Sequence, residues 1–387
     1  MTGSLERMDP RELGERLRAA RAKAGLTQDT AAEALHLART TVVALEKGQR
    51  AVRPEELREM ARVYGASVNS LLRPSAIHVD LVPRFRALSG AEGRKATEAA
   101  KMLSELAASE VELERLLGQP LKMNYPTEQR LLPGDVREQA EDAAAELRHR
   151  LGLGLAPIPD MVSLLELELG MRVFVRPLPS ASISGLFAFD EVLGACVLLN
   201  QNHPRERRAM TGAHEWGHFI SARHEPDVVD LTRAAQSREE RFATAFASAL
   251  LMPATAIRRR FQDLAREAGS FSPRHLVLLA HTFHVSPEAM CRRLEDLKLL
   301  PGGMWDSLKD RGFSGETVRA VLGDKPKSDD LVVPPRLWML AAEAYRRDLL
   351  TEGQLAQMLH MDRVEVRNMV DTLGAEDDHG VHSIKAK

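Results

Sequence analysis

Within Thr211–Ile220, TGAHEWGHFI, two histidines stand four residues apart with a glutamate after the first. On an α-helix, residues i and i+4 share a face, so His214 and His218 could offer two imidazoles to one divalent ion. Glu215 would lie beside them, within reach of a water molecule it could deprotonate. These are parts of a site for metal-assisted hydrolysis. The plainer reading is a helix with two surface histidines, and the short motif alone does not choose. The flanks bear on the choice: Ala213, Trp216, Gly217, Phe219 and Ile220 are apolar or small, which marks a mostly buried helix. Two histidines and a glutamate in such a helix cost stability unless partnered, and a metal ion is a partner.

A catalytic zinc site takes three protein ligands and keeps one position open. The next helical stretch, REERFATAFASALLMP, begins with Glu239 and Glu240 and continues with Ala243, Ala247, Leu250 and Leu251 on one core-facing stripe. Packed antiparallel to the histidine helix, it could bring Glu240 to the ion. Glu239, one helical step round, is the alternative, and either could instead be a solvated first-turn glutamate favoured by the helix dipole. His203 and His224 read as surface histidines. The strand ACVLLN reads as an edge to which an extended peptide could add by backbone pairing.

A second set of residues has the types that touch nucleic acid. Residues 10–72 read as four or five short helices with a helix–tight turn–helix core at about 28–47. Thr27 N-caps the first helix of that core, Gly48 ends the second, and Pro54 opens the helix after it. Arg39, Thr40 and Thr41 stand where a recognition helix meets base edges, and Gln28 where an amide can brace a phosphate or read a base. Lys47, Arg50 and Arg53 could contact phosphates. Local charge is only mildly basic, so a small protein-binding helical domain is the competing reading.

Around these sites, the chain of 387 residues is long enough for two or three domains. Ala, Leu, Arg and Glu abound and aromatics are few, which favours helices. Two distant cysteines, Cys196 and Cys291, exclude a disulfide framework or a Cys-rich zinc module and suit a reducing cytoplasm. The first residues carry no apolar signal region, and no apolar run would span a bilayer, so no membrane partner is expected. The fold expected is mainly α with a small β-sheet. It comprises an amino-terminal helical domain (1–75), a helical connector (76–130), an α+β domain (131–300) and a carboxy-terminal helical region (301–387) with a polar tail. In the α+β domain, helices at about 134–150 and over MVSLLELELG precede three strands, MRVFVRPL, ISGLFAFD and GACVLLN. The histidine helix follows at about 205–223, then a helix at about 237–251 and two more divided near HVSPEAM. Beyond a linker, GDKPKSDDLVVPP, a helical pair ends the chain and has a helix-turn-helix look that suits packing or dimerisation.

Both halves resemble known families. LLNQNHPRERRAMTGAHEWGHFI followed by EERFATAFASALLMP is similar to the ImmA/IrrE family of zinc metallopeptidases, over roughly residues 130–300. The resemblance implies a zincin-like domain with His214, His218 and Glu240 as metal ligands and Glu215 as general base. It implies Zn2+ as cofactor, with Mn2+ the alternative. It also implies a protein substrate, a repressor of the XRE type, whose cleavage releases stress-response or mobile-element genes. Trp216, Met210 and Thr244 depart from the family pattern, and Thr244 stands where an Asn or Asp orienting a ligand is usual. Residues 10–72 resemble XRE-type helix-turn-helix domains, with His36 where the turn usually has glycine and Ala38 where Ser or Thr commonly caps. That implies a double-stranded DNA operator and a homodimer. The alternatives to a peptidase are a transcription factor that uses the second domain as a metal or ligand sensor, and a component of an antitoxin or defence system.

Overall fold

The computed structural model describes residues 9–64, 66, 68, 71, 90–223, 227–229, 237–323 and 334–374. The chain divides into two compact units, residues 1–78 and 79–387. The architecture is mainly helical with one small sheet.

The first unit contains α1 (Pro10–Lys23), α2 (Gln28–Ala34), α3 (Arg39–Glu46) and α4 (Pro54–Val63). Local chemistry sets their ends. Thr27 Oγ1 accepts from the Thr30 backbone N–H at the start of α2, whereas Ala38 gives α3 no side-chain cap. The turn between them is made by His36 at φ 52°, in the left-handed region that glycine would occupy at less cost. Leu13, Leu17, Ala31, Leu35, Val42, Leu45, Leu57 and Met60 form the core. Gly14 lets α1 lie on the end of α3, since a Cβ there would meet the carbonyl oxygens of Leu45 and Glu46 at 2.6 Å.

The second unit is built on a four-stranded sheet in the order β1-β3-β2-β4. The strands are β1 (Arg172–Arg176), β2 (Gly185–Asp190), β3 (Gly194–Asn200) and β4 (Asp227–Val229). β3 runs parallel to β1 and antiparallel to β2, and β4 pairs antiparallel with β2. Two expectations change here. β3 holds ACVLLN and lies inside the sheet, paired on both sides, so it offers no free edge. β4 was not foreseen, because three residues carry no readable alternation.

Before the sheet come α5 (Gly90–Leu117) and α6 (Val136–Arg150). MVSLLELELG is a single α-turn, α7 (Met161–Ser163), running into a π-helical turn over Leu164–Glu168 rather than one regular helix. After β3 come α8 (Arg205–Ser221) and α9 (Arg238–Leu251). The segment expected to hold two helices holds three: α10 (Ala254–Ala268), α11 (Pro273–Thr282) and α12 (Pro287–Asp296). Gly269, at φ 72°, ends α10, and Ser272 with Pro273 opens α11. Next are α13 (Met304–Asp310) and α14 (Gly315–Leu322), then α15 (Pro335–Arg346), α16 (Glu352–Leu359) and α17 (Arg363–Gly374) where a pair was expected. Residues 324–333 of the expected linker GDKPKSDDLVVPP, and the tail from 375, lie outside the described residues.

Helix α8 packs on β2, β3 and α9, and α6 packs on α9. Trp216, Phe219, Phe242, Phe246, Leu250 and Leu147 fill this layer. The long helix α5 is no free-standing connector: it packs on β1, β3, α15 and α16. A buried charge cluster ties these together. Arg172 of β1 donates to both carboxylate oxygens of Glu114 at 2.8 and 2.9 Å and lies 2.9 Å from Glu110. Arg336 of α15 reaches Glu114 at 2.9 Å, and its backbone N–H donates to Glu166 at 2.8 Å.

Candidate metal centre and nucleic-acid interface

The geometry of α8 brings the two imidazoles onto one face. His214 Nε2 and His218 Nε2 are 3.0 Å apart, and the rings meet edge-to-face. From α9, the two carboxylate oxygens of Glu240 lie 3.5 Å from His214 Nε2 and 3.4 Å from His218 Nε2. Among the described residues this trio is the cluster of His, Cys, Asp and Glu able to share one metal ion, its ligand atoms all within 4.8 Å of one another. Glu239 is not part of it. Four ligands at the usual zinc–nitrogen and zinc–oxygen bond lengths of about 2.0–2.1 Å on a tetrahedron stand roughly 3.3 Å apart. The three donors therefore match the spacing that such an ion needs. Two neutral imidazoles and one carboxylate are also a donor set that zinc accepts.

Glycine makes the third side chain reachable. A Cβ on Gly217 would sit 2.6 Å from Ala243 Cα, so only glycine lets the α9 backbone come this close. Glu240 is one turn before that contact and arrives at the imidazoles because of it. Ser237 caps α9 by accepting from the Glu240 backbone N–H at 3.0 Å. At the other end of the histidine helix, Gly185 of β2 leaves room for Thr211, and Gly212 for Leu165 of the π-turn. The Arg223 guanidinium sits 4.2 Å over the Phe219 ring and donates to the Pro126 carbonyl at 2.6 Å, pinning the helix end.

Burial shapes the electrostatics. His214, Glu215 and His218 are all buried, Glu215 completely, while Glu240 is half-buried. Hydrogen bonding from His214, and then from His218, holds the Glu240 carboxyl well below the usual carboxylate range. Thr244, an exposed residue, places its hydroxyl 3.5 Å from His214 Nδ1. Trp216 is fully buried against Phe246. His203, expected at the surface, is buried instead, with Nε2 2.9 Å from the Ala181 carbonyl oxygen, and burial lowers its pKa. His224 lies outside the described residues.

Sequence reasoning missed the part Asn200 plays. It is wholly buried at the end of β3 and ties down the loop before β2, donating to the carbonyls of Ser180 and Ile183 and accepting from Asn202 N–H. A lone asparagine at a strand end was the available signal, and nothing in its neighbours revealed the loop it holds.

In the first unit, the residues expected at nucleic acid differ in how free they are. Thr40 and Lys47 are exposed, and Thr41 is partly so. Arg39 is exposed and lies 3.2 Å from Asp29. Arg50 is held by Glu56 at 2.7 Å. Gln28 turns its amide inward, donating at 2.8 Å to the buried Glu46 carboxylate, which Arg21 also grips. Arg53 is exposed at the start of α4.

These two units define a class: a helix-turn-helix domain joined to a metallopeptidase-like domain that presents a His–His–Glu cluster. Comparison with known families makes both parts specific. Residues 12–72 match a helix-turn-helix domain, and residues 167–295 match the IrrE N-terminal-like domain. No curated protein matches the chain. Helix α6 and the helices beyond Glu295 lie outside the matched stretches, although α6 packs directly on the ligand-bearing helix α9.

Proposed function

We propose that this chain is a DNA-binding regulator with a zinc-dependent endopeptidase built into it, and that its substrate is a repressor of the XRE type or the chain itself. The observation that carries the reading is the convergence of His214, His218 and Glu240 to ion-binding distances, with Glu215 next to a ligand on the same helix. A bound zinc ion supplies Lewis acidity toward a peptide carbonyl and makes a nearby water easier to deprotonate. The protein's own residues do the rest. His214, His218 and Glu240 hold the ion, with Glu240 as its anionic ligand. Glu215 takes a proton from the attacking water and passes it to the leaving amine. Arg39, Thr40, Thr41 and Lys47 face the operator, with Arg50 able to turn from Glu56 to a phosphate. Gln28 acts by bracing α2 against α3 through Glu46. A homodimer would suit paired half-sites.

The experiment compares wild type with Glu215→Gln, each co-expressed with candidate repressors. The variant keeps its metal and its DNA binding, while cleavage falls by at least a hundredfold. Proteolysis that never differs between the two chains across the candidates ends the enzyme reading. The complete burial of Glu215 favours a second reading, in which the peptidase-like domain senses a metal or ligand without hydrolysis. Equal proteolysis, with metal-dependent DNA binding, selects it.

A further inference from the structure

We infer that Arg207 makes the metal centre selective for an acidic side chain, carried by the substrate about three residues from the bond that is cut. The inference rests on the peptidase reading above and deepens it by naming a feature of the substrate and the residue that reads it.

Arg207 belongs to the face of α8 that carries the imidazoles. Arg207, Thr211, His214 and His218 follow one another at steps of three or four residues, which stack on one side of a helix. From Arg207 to His214 is roughly 10 Å along the helix axis, or about three residues of extended peptide. The Arg207 side chain is half-buried, and its Nη2 donates to the Ser184 hydroxyl at 3.0 Å. Ser184 is wholly buried and fixed in place, its carbonyl accepting from the Asn200 backbone N–H at 3.0 Å. The neighbouring arginines hold the fold instead: Arg205 donates to the Pro159 carbonyl, and the buried Arg208 to the carbonyls of Gln201 and His203. Among the described residues no carboxylate pairs with Arg207, and the rest of its guanidinium fork is left for an anion. Arg207 also stands in the first turn of α8, where the helix dipole disfavours a cation. A half-buried cation bonded to a neutral hydroxyl at that end of a helix is costly without a countercharge. A substrate carboxylate arriving there meets the dipole and the guanidinium together.

The probes are short fluorescent alanine peptides with a zinc-binding hydroxamate at one end, attached in one set to the carboxyl end and in another to the amino end. Each carries a single Glu or Gln at a varied distance from the hydroxamate. Their affinities for the zinc-loaded full chain are read by fluorescence anisotropy, so the result needs no turnover. In one of the two sets, wild type binds the Glu peptide about tenfold tighter than its Gln twin when that residue is about three positions from the hydroxamate. Arg207→Gln erases the preference. Arg207→Glu, a substitution the helix dipole favours, reverses it toward Lys at the same position. Wild type that binds the hydroxamates but never separates Glu from Gln overturns the inference and leaves the peptidase reading intact. A Glu preference that survives in Arg207→Gln also overturns it. Zinc-loaded wild type that binds none of the probes ends the peptidase reading, and this inference with it.

Discussion

At the scale of the residue, the candidate site depends on one absent side chain as much as on the four present. Gly217 permits Ala243 Cα to come within contact of α8, and that approach brings Glu240 to the imidazoles. Gly217→Ala places a methyl 2.6 Å from backbone, where no flexible neighbour can yield. The two helices must separate, and Glu240 leaves the imidazoles. The expected outcome is loss of zinc binding with the fold retained, at a cost of about 1–3 kcal/mol, read by metal analysis and thermal melting. A variant that keeps full affinity would show that α9 reaches the site without this contact. His214, Glu215 and His218 were legible in the sequence because helical spacing alone places them. The choice of Glu240 over Glu239 rested on the family resemblance, since one helical step cannot be resolved from apolar spacing. The role of Gly217 was hidden, because it depends on which helix packs there.

At the scale of the element, the buried cluster joins α5, the π-turn, β1 and α15. Its members are far apart in the chain, 58 residues between Glu114 and Arg172 and 222 between Glu114 and Arg336, so no local pattern announced it. Burial pushes Glu110 up to about 7 and Glu166 up to about 8, against an ordinary value of 4.5. Glu114 stays below its ordinary value despite burial, because Arg172 and Arg336 bond to it. A carboxyl whose folded pKa is raised favours the fold while protonated. Its contribution is full below about pH 4.5 and is lost as pH rises through 7 to 8. The 79–387 unit should therefore lose stability between pH 5 and pH 8 through these groups. Glu110→Gln should flatten that slope in denaturant melts taken across the range, and a slope equal to wild type would contradict the account. Other elements were more legible. Thr27, Gly48 and Pro54 marked helix ends, whereas the three-residue β4 and the π-turn gave no periodic signal. One turn recurs three times with histidine in the left-handed conformation: His36, His284 and His360, at φ 52°, 54° and 51°. Each lies between two short helices, after a buried Leu35, Phe283 or Leu359. The last of these gives the carboxy-terminal helices the helix-turn-helix look that their sequence suggested.

At the scale of the whole molecule, a helix-turn-helix domain and a peptidase-like domain share one chain. The described helices include none long and apolar enough to cross a membrane. The domain that carries the cluster extends beyond its family match, because α5, α6 and α15 complete its core and its charge network. That extension was not legible, since α5 reads as an amphipathic connector until its partners are in place. The account stands on a metal ion held by His214, His218 and Glu240, and the direct test is metal stoichiometry in the purified full-length chain. Wild type and Glu215→Gln should each carry one zinc ion per chain, and Glu240→Ala should carry almost none. Zinc absent from wild type, or retained at full stoichiometry by Glu240→Ala, would contradict the account.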